Sequence, residues 1–503
     1  MVYESDIEET IIQLLQNKNY EFIDENDSWI SDRKLDEFIN KDLLLDCLSR
    51  INGTNDFEIL NEAINTITRL ENPSLFERNF AFHKYLIDGI TIESKNYVVN
   101  PLIRLIDFET PENNVFQVCH QVKFNEGRNN RIPDVIIYIN GLPLIVMELK
   151  SFSEDATKAM LEDAYDQLGG CSEHDGYRYD IPTLFNYSAF LVISDGVTTK
   201  VGTLTSKIDR YNEWKSVSGE KGYDDSCVMQ LNILIDGLFE QRRLLDVIKN
   251  NIFFIQDKNN KPVKIMSQYH QYFGVNKAYD SILKTIKPEG SGKAGIIWHT
   301  QGSGKSFSMV MLAHRLLISP KLNVPTIVLL TDRIDLDDQL YKTFFSARQY
   351  LKCEPVVATS REDLVKKLSQ IKQGGVILTT VGKFDKENLP KNERTNIIVM
   401  TDEAHRGHYG LYETVHYEKN KETDEMEAVF KYGVEKYIRD ALPNATFIGF
   451  TGTPVSTKDK QTTDIFGDII DTYDMTQSVI DGSTVKLYYE SRLAKVWTDE
   501  NIL

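Results

Sequence analysis

The spacing of hydrophobic and polar positions predicts an α/β fold for the N-terminal part of the chain. Amphipathic helical patterns, DIEETIIQLLQNKNY and DEFINKDLLLDCLSRI, come first and are followed by short extended segments such as NYVVNPLIRLIDF. Three strand patterns then lie between residues 115 and 150: FQVCHQVKF, DVIIYI and LPLIVMELK. Asn140-Gly141 is a strong turn signal, so the last two strands are predicted to form a hairpin.

The segments up to residue 255 complete this first domain. KAMLEDAYDQLGG predicts a helix that ends at a double glycine, and AFLVISDG predicts a buried strand. LNILIDGLFEQRRLLDVIKNNIFF predicts a largely helical segment that is interrupted at Gly237. Polar clusters at 216–226 and 256–262 are candidate linkers, and we place the domain boundary near residue 255.

A different pattern begins at residue 294. Short apolar runs, AGIIWHT, TIVLLTD, GVILTT, NIIVMTD and ATFIGFT, alternate with helical or loop segments of crossover length. This alternation is typical of a doubly wound parallel sheet that is covered by helices on both faces. We therefore expect a second α/β domain over 256–475, with 476–503 as the start of a further lobe or a linker.

Composition limits the class of protein. The chain has 503 residues, 41% hydrophobic and 26% charged, and it contains no apolar run long enough for a transmembrane helix. Its acidic first residues, MVYESDIEET, are unlike a signal peptide, and its five cysteines lack the spacing of a zinc site or a disulfide framework. We expect a soluble, cytoplasmic protein with no membrane partner.

The formal net charge of −18 argues against a protein that holds DNA through a general basic surface, because phosphate contacts dominate non-specific affinity. Any DNA contact must be local or shared with partners. Two small basic groups stand out, although each is equally consistent with a solvated face; they are Lys123, Arg128 and Arg131, and Lys207, Arg210 and Lys215.

The strand AGIIWHT runs into a glycine-rich loop and then a helix, the setting that a phosphate-binding loop requires. Backbone N–H groups at Gly302, Ser303 and Gly304 can close on phosphate oxygens, and the helix N-terminus favours negative charge. Lys305 is predicted to reach the β- and γ-phosphates, and Ser306 to ligate Mg²⁺. His299 stands where the full motif has its first glycine, a departure also met in helicase-like ATPases.

A second acidic element follows the strand NIIVMT. Asp402 and Glu403 come at its carboxyl end, where ligands bind in open α/β sheets. We expect Asp402 to hold Mg²⁺ through water and Glu403 to polarise the water that attacks the γ-phosphate.

Further segments resemble those of superfamily 2 helicases and translocases. Thr451-Gly452-Thr453 is similar to the motif that couples nucleotide state to DNA contact, and Gln271 in YHQ is similar to the adenine-reading glutamine. Two strand ends fall where DNA-contacting segments lie in that superfamily, although each could be a cap; they are Asp332-Arg333 and Thr379-Thr380.

A second chemistry is predicted by Pro133-Asp134 followed, across the hairpin, by Glu148-Leu149-Lys150. Residues two apart on a strand share a face, so Glu148 and Lys150 point together, and the hairpin can return them beside Asp134. Two carboxylates suit Mg²⁺, and the lysine can orient or deprotonate the water that the metal activates against a phosphodiester. This arrangement predicts phosphodiester hydrolysis.

The motif order and the string PDVIIYINGLPLIVMELK resemble the restriction subunit of type I restriction-modification enzymes. YHQYFGVNKA, IIWHTQGSGKS, VMTDEAHRG and FIGFTGTPV are similar to that family's glutamine, phosphate-loop, DEAH and coupling segments in their usual order. The resemblance spans nearly the whole chain. It implies a PD-(D/E)xK-type nuclease domain, then a RecA-like ATPase lobe of the DEAH type, with ATP and Mg²⁺ as cofactors.

The resemblance also implies a Gln-x-x-x-Tyr motif that supports the nuclease centre. Gln167 occupies the glutamine position, but Cys171 stands where the tyrosine is expected, so either Tyr177 or Tyr179 takes its place or the support is lost. An N-terminal helical glutamate sometimes completes such sites, which makes Glu8 or Glu9 candidates.

In the family, the subunit translocates double-stranded DNA with ATP and cleaves unmodified DNA, while methyltransferase and specificity subunits methylate and read the sequence. A second lobe supplies an arginine finger, and this sequence stops at Leu503 before one, so we expect the chain alone to bind ATP without translocating. Two other interpretations stay open: a type III restriction or repair helicase, and a non-catalytic ATP-binding module. A nuclease motif ahead of the motor favours type I, and the intact site residues favour an enzyme.

Overall fold

A computed structural model describes residues 3–152, 157–170, 175–220, 230–257, 259–331, 334–384, 390–404, 413–419, 426–432, 434–453 and 460–485 of the chain. Within these residues, two larger sheets of six and seven strands dominate, and four two-stranded hairpins accompany them. No helix of the described part is both long and apolar enough to cross a membrane.

The N-terminal unit surrounds the six-stranded sheet. Its helices are α1 (Glu4–Gln16), α2 (Ser28–Asp32), α3 (Lys41–Asn52), α4 (Phe57–Thr68), α5 (Leu75–Asp88), α6 (Thr157–Gln167), α7 (Tyr177–Asp180), α8 (Pro182–Asn186), α9 (Gln230–Gly237) and α10 (Gln241–Asn250). Its strands are β1 (Glu21–Ile23), β2 (Ile90–Thr91), β3 (Leu102–Ile103), β4 (Phe116–His120), β5 (Phe124–Glu126), β6 (Asn129–Arg131), β7 (Val135–Ile139), β8 (Leu142–Leu149), β9 (Phe190–Ser194) and β10 (Thr199–Gly202).

The first sheet has the order β1-β4-β7-β8-β9-β10 and mixes parallel and antiparallel pairs. The predicted hairpin between β7 and β8 is present, with Asn140 and Gly141 at positive φ in its turn. Every residue of β7 and β8 is buried, since both strands are nearly continuous apolar runs and helices α1 and α6 pack on the sheet. This central hairpin forms the core of the unit.

The C-terminal unit contains the seven-stranded sheet. Its helices are α11 (Tyr269–Thr285), α12 (Lys305–Leu317), α13 (Ile334–Ser346), α14 (Arg348–Leu351), α15 (Arg361–Gln370), α16 (Val434–Ala441), α17 (Lys460–Phe466) and α18 (Met475–Ile480). The strands are β11 (Ile252–Gln256), β12 (Pro262–Met266), β13 (Lys293–His299), β14 (Thr326–Thr331), β15 (Val356–Val357), β16 (Val376–Thr380), β17 (Ile397–Thr401), β18 (Glu413–Lys419), β19 (Met426–Tyr432), β20 (Thr446–Thr451) and β21 (Ile469–Tyr473).

The second sheet has the order β15-β16-β14-β17-β20-β13-β21, and all of its described pairs are parallel. The five apolar runs of the sequence form β13, β14, β16, β17 and β20, so the prediction of an α/β fold with a parallel sheet is confirmed. β17, β20 and β13 are neighbours in the sheet although they are not consecutive in the chain. Because they are parallel, their carboxyl ends lie side by side.

One predicted helix ends earlier than expected. LNILIDGLFEQRRLLDVIKNNIFF forms α9 and α10, and the Glu240 carboxylate caps the N-terminus of α10, but the last three residues of the segment, 252–254, begin strand β11. This run of aromatic and β-branched residues pairs with β12, which lies beyond the reach of a local pattern. The predicted linker at 256–262 covers the turn of this β11–β12 hairpin.

The β11–β12 hairpin joins the two units through a buried lysine. The Lys264 ammonium nitrogen is 2.7 Å from the Ser188 carbonyl and 3.0 Å from Asn79 Oδ1, both in the N-terminal unit. The Lys264 backbone also bonds to Thr203 and Thr205. Since no carboxylate pairs with this amine in the described contacts, burial lowers the pKa of Lys264 to about 7.

Replacing Lys264 with Met is expected to remove a pH dependence of stability. The pKa of Lys264 is about 7 in the folded chain and ordinarily 10.5, so between these values the unfolded state binds more protons. Lys264 should therefore make the free energy of unfolding of the unchanged chain rise by about 2 kcal/mol from pH 7 to pH 9 relative to that of Lys264→Met, and this difference should change little below pH 7. Urea unfolding at each pH measures the difference.

Lys261→Met is the matched control, because Lys261 is an exposed lysine of the same hairpin. This variant should keep the rise. The burial argument fails if Lys264→Met and the unchanged chain respond to pH alike.

Candidate functional site

Two carboxylates and an amine meet at the open end of the β7–β8 hairpin. Asp134 directly precedes β7, Glu148 lies near the end of β8, and Lys150 follows it. The Asp134 Oδ2 atom accepts a 2.7 Å hydrogen bond from the Leu149 N–H, and the Lys150 ammonium is 3.0 Å from Glu148 Oε1. The three side chains predicted from the sequence are thus brought together, and we call them the carboxylate pocket.

Electrostatics in the carboxylate pocket favour binding of a cation. Glu148 is fully buried, and burial followed by the nearby charge of Asp134 raises its pKa to about 8. Burial also raises the pKa of Asp134, against the hydrogen bond from the Leu149 N–H and the charge of Lys150. The Glu148 Oε2 atom is buried and has no hydrogen-bond partner. A divalent ion would satisfy this oxygen and neutralise the pair.

The question of the missing tyrosine has a geometric answer. Gln167 donates a 2.7 Å hydrogen bond to the Tyr177 hydroxyl, which in turn donates to the Ile132 carbonyl beside Asp134 at 3.2 Å. Burial, and then the charge of Glu148, raise the pKa of Tyr177. Tyr179 instead contacts Arg178, and Cys171 lies outside the described residues. Tyr177 is therefore the tyrosine that accompanies Gln167.

The N-terminal helix brings a third carboxylate near the pocket. Glu8 is buried, and its Oε1 atom accepts a 2.7 Å hydrogen bond from the Gln121 amide, which is also 3.4 Å from Asp134 Oδ1. Glu9 on the same helix is exposed, so Glu8 is the glutamate beside the pocket. Sequence reasoning missed Gln121, although its position directly after β4 and opposite Asp134 could have drawn attention to it.

Within the described part of the chain, no group of three His, Cys, Asp or Glu side chains could hold a metal ion by itself. The carboxylate pocket offers two carboxylates, which are the oxygen ligands that Mg²⁺ prefers. Such ions usually keep several waters, so two protein ligands and an unpartnered Glu148 oxygen fit a magnesium site.

The glycine loop, residues 300–304, connects β13 to α12 as predicted. Gly302 and Gly304 have φ values of 89° and 80°, a region that favours glycine. The Ser303 hydroxyl is buried and donates to the Thr300 carbonyl at 2.7 Å. Lys305 begins α12, and its ammonium lies 3.5 Å from the same carbonyl; half-buried Ser306 follows it.

Gln271 is tied directly to the glycine loop. Its amide nitrogen donates to the Gly304 carbonyl at 3.1 Å and to the Ser303 carbonyl at 3.3 Å, while its oxygen accepts from the Gln268 N–H at 2.9 Å. A Cβ added at Gly304 would lie 2.5 Å from this amide nitrogen. Gln271 and the glycine loop, both predicted from the sequence, are therefore in direct contact.

The remaining predicted residues line the carboxyl edge of the second sheet. Asp402 and Glu403 follow β17, and Asp402 Oδ1 accepts from the Glu403 N–H at 2.9 Å. β20 ends at Thr451, and Gly452 and Thr453 follow it. A Cβ added at Gly452 would lie 2.9 Å from the Lys305 ammonium nitrogen.

β20 lies between β17 and β13 in the sheet. The ends of β17 and β13 are therefore two strand spacings, or about 10 Å, apart, a span that suits the phosphates of a nucleotide. Thr380 ends β16 at the same edge and is buried. Asp332 and Arg333 lie outside the described residues.

The two units match two protein families. Residues 1–210 match the family "Type I restriction enzyme R protein N terminus", and residues 270–503 match the family "SWI2/SNF2 ATPase". The chain thus combines an ATPase domain of this class with the N-terminal domain of a restriction enzyme.

Comparison with curated proteins gives the same assignment. The type I restriction enzyme HindI endonuclease subunit of Haemophilus influenzae is 37% identical over 511 residues, which cover 97% of this chain and 46% of that protein. The SauCOLORF180P endonuclease subunit of Staphylococcus aureus is 25% identical over 445 residues, covering 83% and 42%. Over nearly its whole length the chain is similar to endonuclease subunits of type I restriction enzymes, and it spans about half the length of the curated relatives it matches.

Among solved structures, a fragment described as an HsdR subunit of a type I restriction enzyme from Vibrio vulnificus shares 15% identity and a TM-score of 0.28. The match covers 73% of this chain and 56% of that one. A superposition of this quality adds nothing to the assignment.

Gly304→Ala is expected to weaken nucleotide binding by about tenfold or more, because the new methyl group would meet the Gln271 amide and Gly304 has a φ of 80°. Titration with a fluorescent ATP analogue measures the affinity. Gly382→Ala is the control, since a Cβ there meets nothing within 4 Å and its φ is not positive. Equal affinities in the two variants would contradict the proposed geometry of the loop.

Proposed function

We propose that the chain carries the nuclease centre and the first ATP-binding lobe of an ATP-dependent type I restriction endonuclease subunit. Residues 1–255 would form the PD-(D/E)xK-type nuclease domain and residues 256–475 a RecA-like lobe, with 476–503 beginning a second lobe or a linker. The observation that carries the proposal is the convergence of Asp134, Glu148 and Lys150 in one buried pocket.

In the nuclease centre, Asp134 and Glu148 would hold Mg²⁺. When bound, the ion would polarise a phosphate oxygen and lower the pKa of an attacking water. Lys150 would orient that water or accept its proton, since its ammonium lies beside the proposed metal ligand Glu148, 3.0 Å from Oε1. Gln167 and Tyr177 would position the pocket through the Ile132 carbonyl, one peptide before Pro133-Asp134.

In the ATP site, the glycine loop and Lys305 would bind the phosphates, and Ser306 and Asp402 would hold a second Mg²⁺. Glu403 would orient the water that attacks the γ-phosphate. Gln271 would report base occupancy to the loop, since its amide bonds to Ser303 and Gly304. The segment Thr451–Thr453, whose Gly452 lies beside the Lys305 ammonium, would couple the nucleotide to DNA together with Thr380, Asp332 and Arg333.

The proposed partners are double-stranded DNA and the methyltransferase and specificity subunits of the same complex, in the cytoplasm. The net charge of −18 is consistent with this division, because sequence recognition would belong to another subunit. The reaction is ATP-driven translocation followed by Mg²⁺-dependent cleavage of unmodified DNA.

Asp134→Ala and Lys150→Ala should abolish cutting while leaving ATP hydrolysis within about twofold, because the carboxylate pocket and the glycine loop lie on different sheets. The full-length subunit, reconstituted with its methyltransferase and specificity partners, is assayed on unmethylated circular DNA. Glu9→Ala, an exposed carboxylate of α1, is the control and should cut normally. Retained cutting by Asp134→Ala would refute the assignment of the nuclease centre.

The 503-residue chain should bind ATP, because the glycine loop and Lys305 are already in place beside one another. Lys305→Ala should lose ATP binding, as titration with a fluorescent ATP analogue would measure. An unchanged affinity in Lys305→Ala would contradict this expectation.

A further inference from the structure

The β5–β6 hairpin leads directly into the carboxylate pocket. Its strands pair Phe124 with Arg131 and Glu126 with Asn129, and its two-residue turn contains Gly127 at a φ of 63°. Only Ile132 and Pro133 separate the end of β6 from Asp134. The position of the hairpin relative to the pocket is therefore fixed by two residues of backbone and by the Tyr177 hydrogen bond to Ile132.

The base of the β5–β6 hairpin is anchored in the N-terminal unit. Phe124 is fully buried and stacks on Phe38 with ring centroids 4.9 Å apart. The Glu126 carboxylate accepts from the Thr183 N–H at 3.0 Å and from its hydroxyl at 2.8 Å. Arg131 donates to Asp180 at 2.7 Å. These contacts make the hairpin a preformed element, so a ligand need not bear the cost of ordering it.

The same anchors leave the outer surface of the hairpin cationic. Arg131 and Asp180 neutralise each other, and the half-buried Glu126 carboxylate accepts hydrogen bonds from the uncharged donors of Thr183, so Lys123 and Arg128 outnumber the one remaining carboxylate of the hairpin. Within the described residues, no ion pair or side-chain hydrogen bond involves the Lys123 ammonium or the Arg128 guanidinium. The exposed residues of the hairpin and its flanks are Lys123, Gly127, Arg128, Asn129, Asn130 and Ile132.

This local charge stands out in a chain whose net charge is −18. The carboxylates of Asp134, Glu148 and the adjacent Glu8 are no more than balanced by a divalent ion and Lys150, so the pocket by itself offers a phosphodiester no net attraction. Cations beside the pocket lower the cost of bringing DNA phosphates to it, and asparagine amides are suited to phosphate and sugar contacts. From the geometry we infer that the β5–β6 hairpin docks the backbone of double-stranded DNA against the carboxylate pocket through Lys123 and Arg128.

This inference rests on the proposed nuclease function, and a binding measurement tests it separately from cleavage. The 503-residue chain is titrated into a fluorescein-labelled DNA duplex, with Ca²⁺ in place of Mg²⁺ to prevent cutting. The double variant Lys123→Ala/Arg128→Ala should raise Kd about tenfold at moderate salt. The slope of log K against log salt should fall in magnitude by about 0.9 for each lost phosphate contact.

The matched control is Lys95→Ala/Lys372→Ala, which removes the same charge from two exposed lysines outside the hairpin. This variant should bind with less than about twofold change, since it leaves both hairpin cations in place. An equal loss of affinity in both double variants, or an unchanged Kd in Lys123→Ala/Arg128→Ala, overturns the inference, because docking at the hairpin requires these two cations.

A contact readout excludes an indirect effect. A photo-crosslinking residue introduced as Asn129→p-benzoylphenylalanine should attach to the duplex on irradiation, and salt that dissociates the complex should prevent it. No attachment under binding conditions overturns the inference. If Asp134→Ala still cuts in the reconstituted enzyme, the proposed nuclease centre fails, whereas the docking result, which binding and cross-linking measure, stands on its own.

Discussion

The register of the β7–β8 hairpin is the constraint on which the carboxylate pocket depends. Val135 pairs with Met147, which places Asp134 opposite Glu148 at the open end. Because side chains alternate along a strand, a slip of one residue would turn Glu148 and Lys150 to the other face of the sheet. Pro143 cannot donate to the ladder, and the register shifts beside its partner Tyr138, so the strand bulges before pairing resumes.

The closed end of that hairpin fixes the register. Asn140 adopts a φ of 53°, donates its backbone N–H to the Val115 carbonyl at 2.8 Å, and accepts the Val115 N–H on its side-chain oxygen at 2.8 Å. A Cβ at Gly141 would lie 2.4 Å from the Asn40 carbonyl oxygen, so glycine is required there. A turn that is closely packed at one end thus determines which side chains meet at the other.

The placement of the candidate residues could be predicted where a local pattern sufficed. Alternation located Glu148 and Lys150 on one face, and the five apolar runs located the parallel strands that present Lys305, Asp402 and Gly452 at one edge. Contacts between distant segments could not be predicted in the same way. The contact of Gln167 with Tyr177 and not Tyr179, the bridge from Gln121 to Glu8, and the pairing that draws Ile252–Phe254 into a strand all depend on tertiary packing, which carries no signal in local spacing.

The two sites obtain their charge in opposite ways. Burial in the carboxylate pocket makes ionisation costly, so the pKa of Glu148 rises to about 8 and a metal ion or a proton must balance the charge. The proposed ATP site gathers backbone N–H groups, a helix N-terminus and Lys305, which attract anions without any carboxylate deep in the loop. On the proposed function, a chain of net charge −18 would hold its two polyanions only where its fold concentrates positive potential. The glycine loop offers backbone dipoles for this, whereas the carboxylate pocket has one lysine inside and would need a metal ion and further cations nearby.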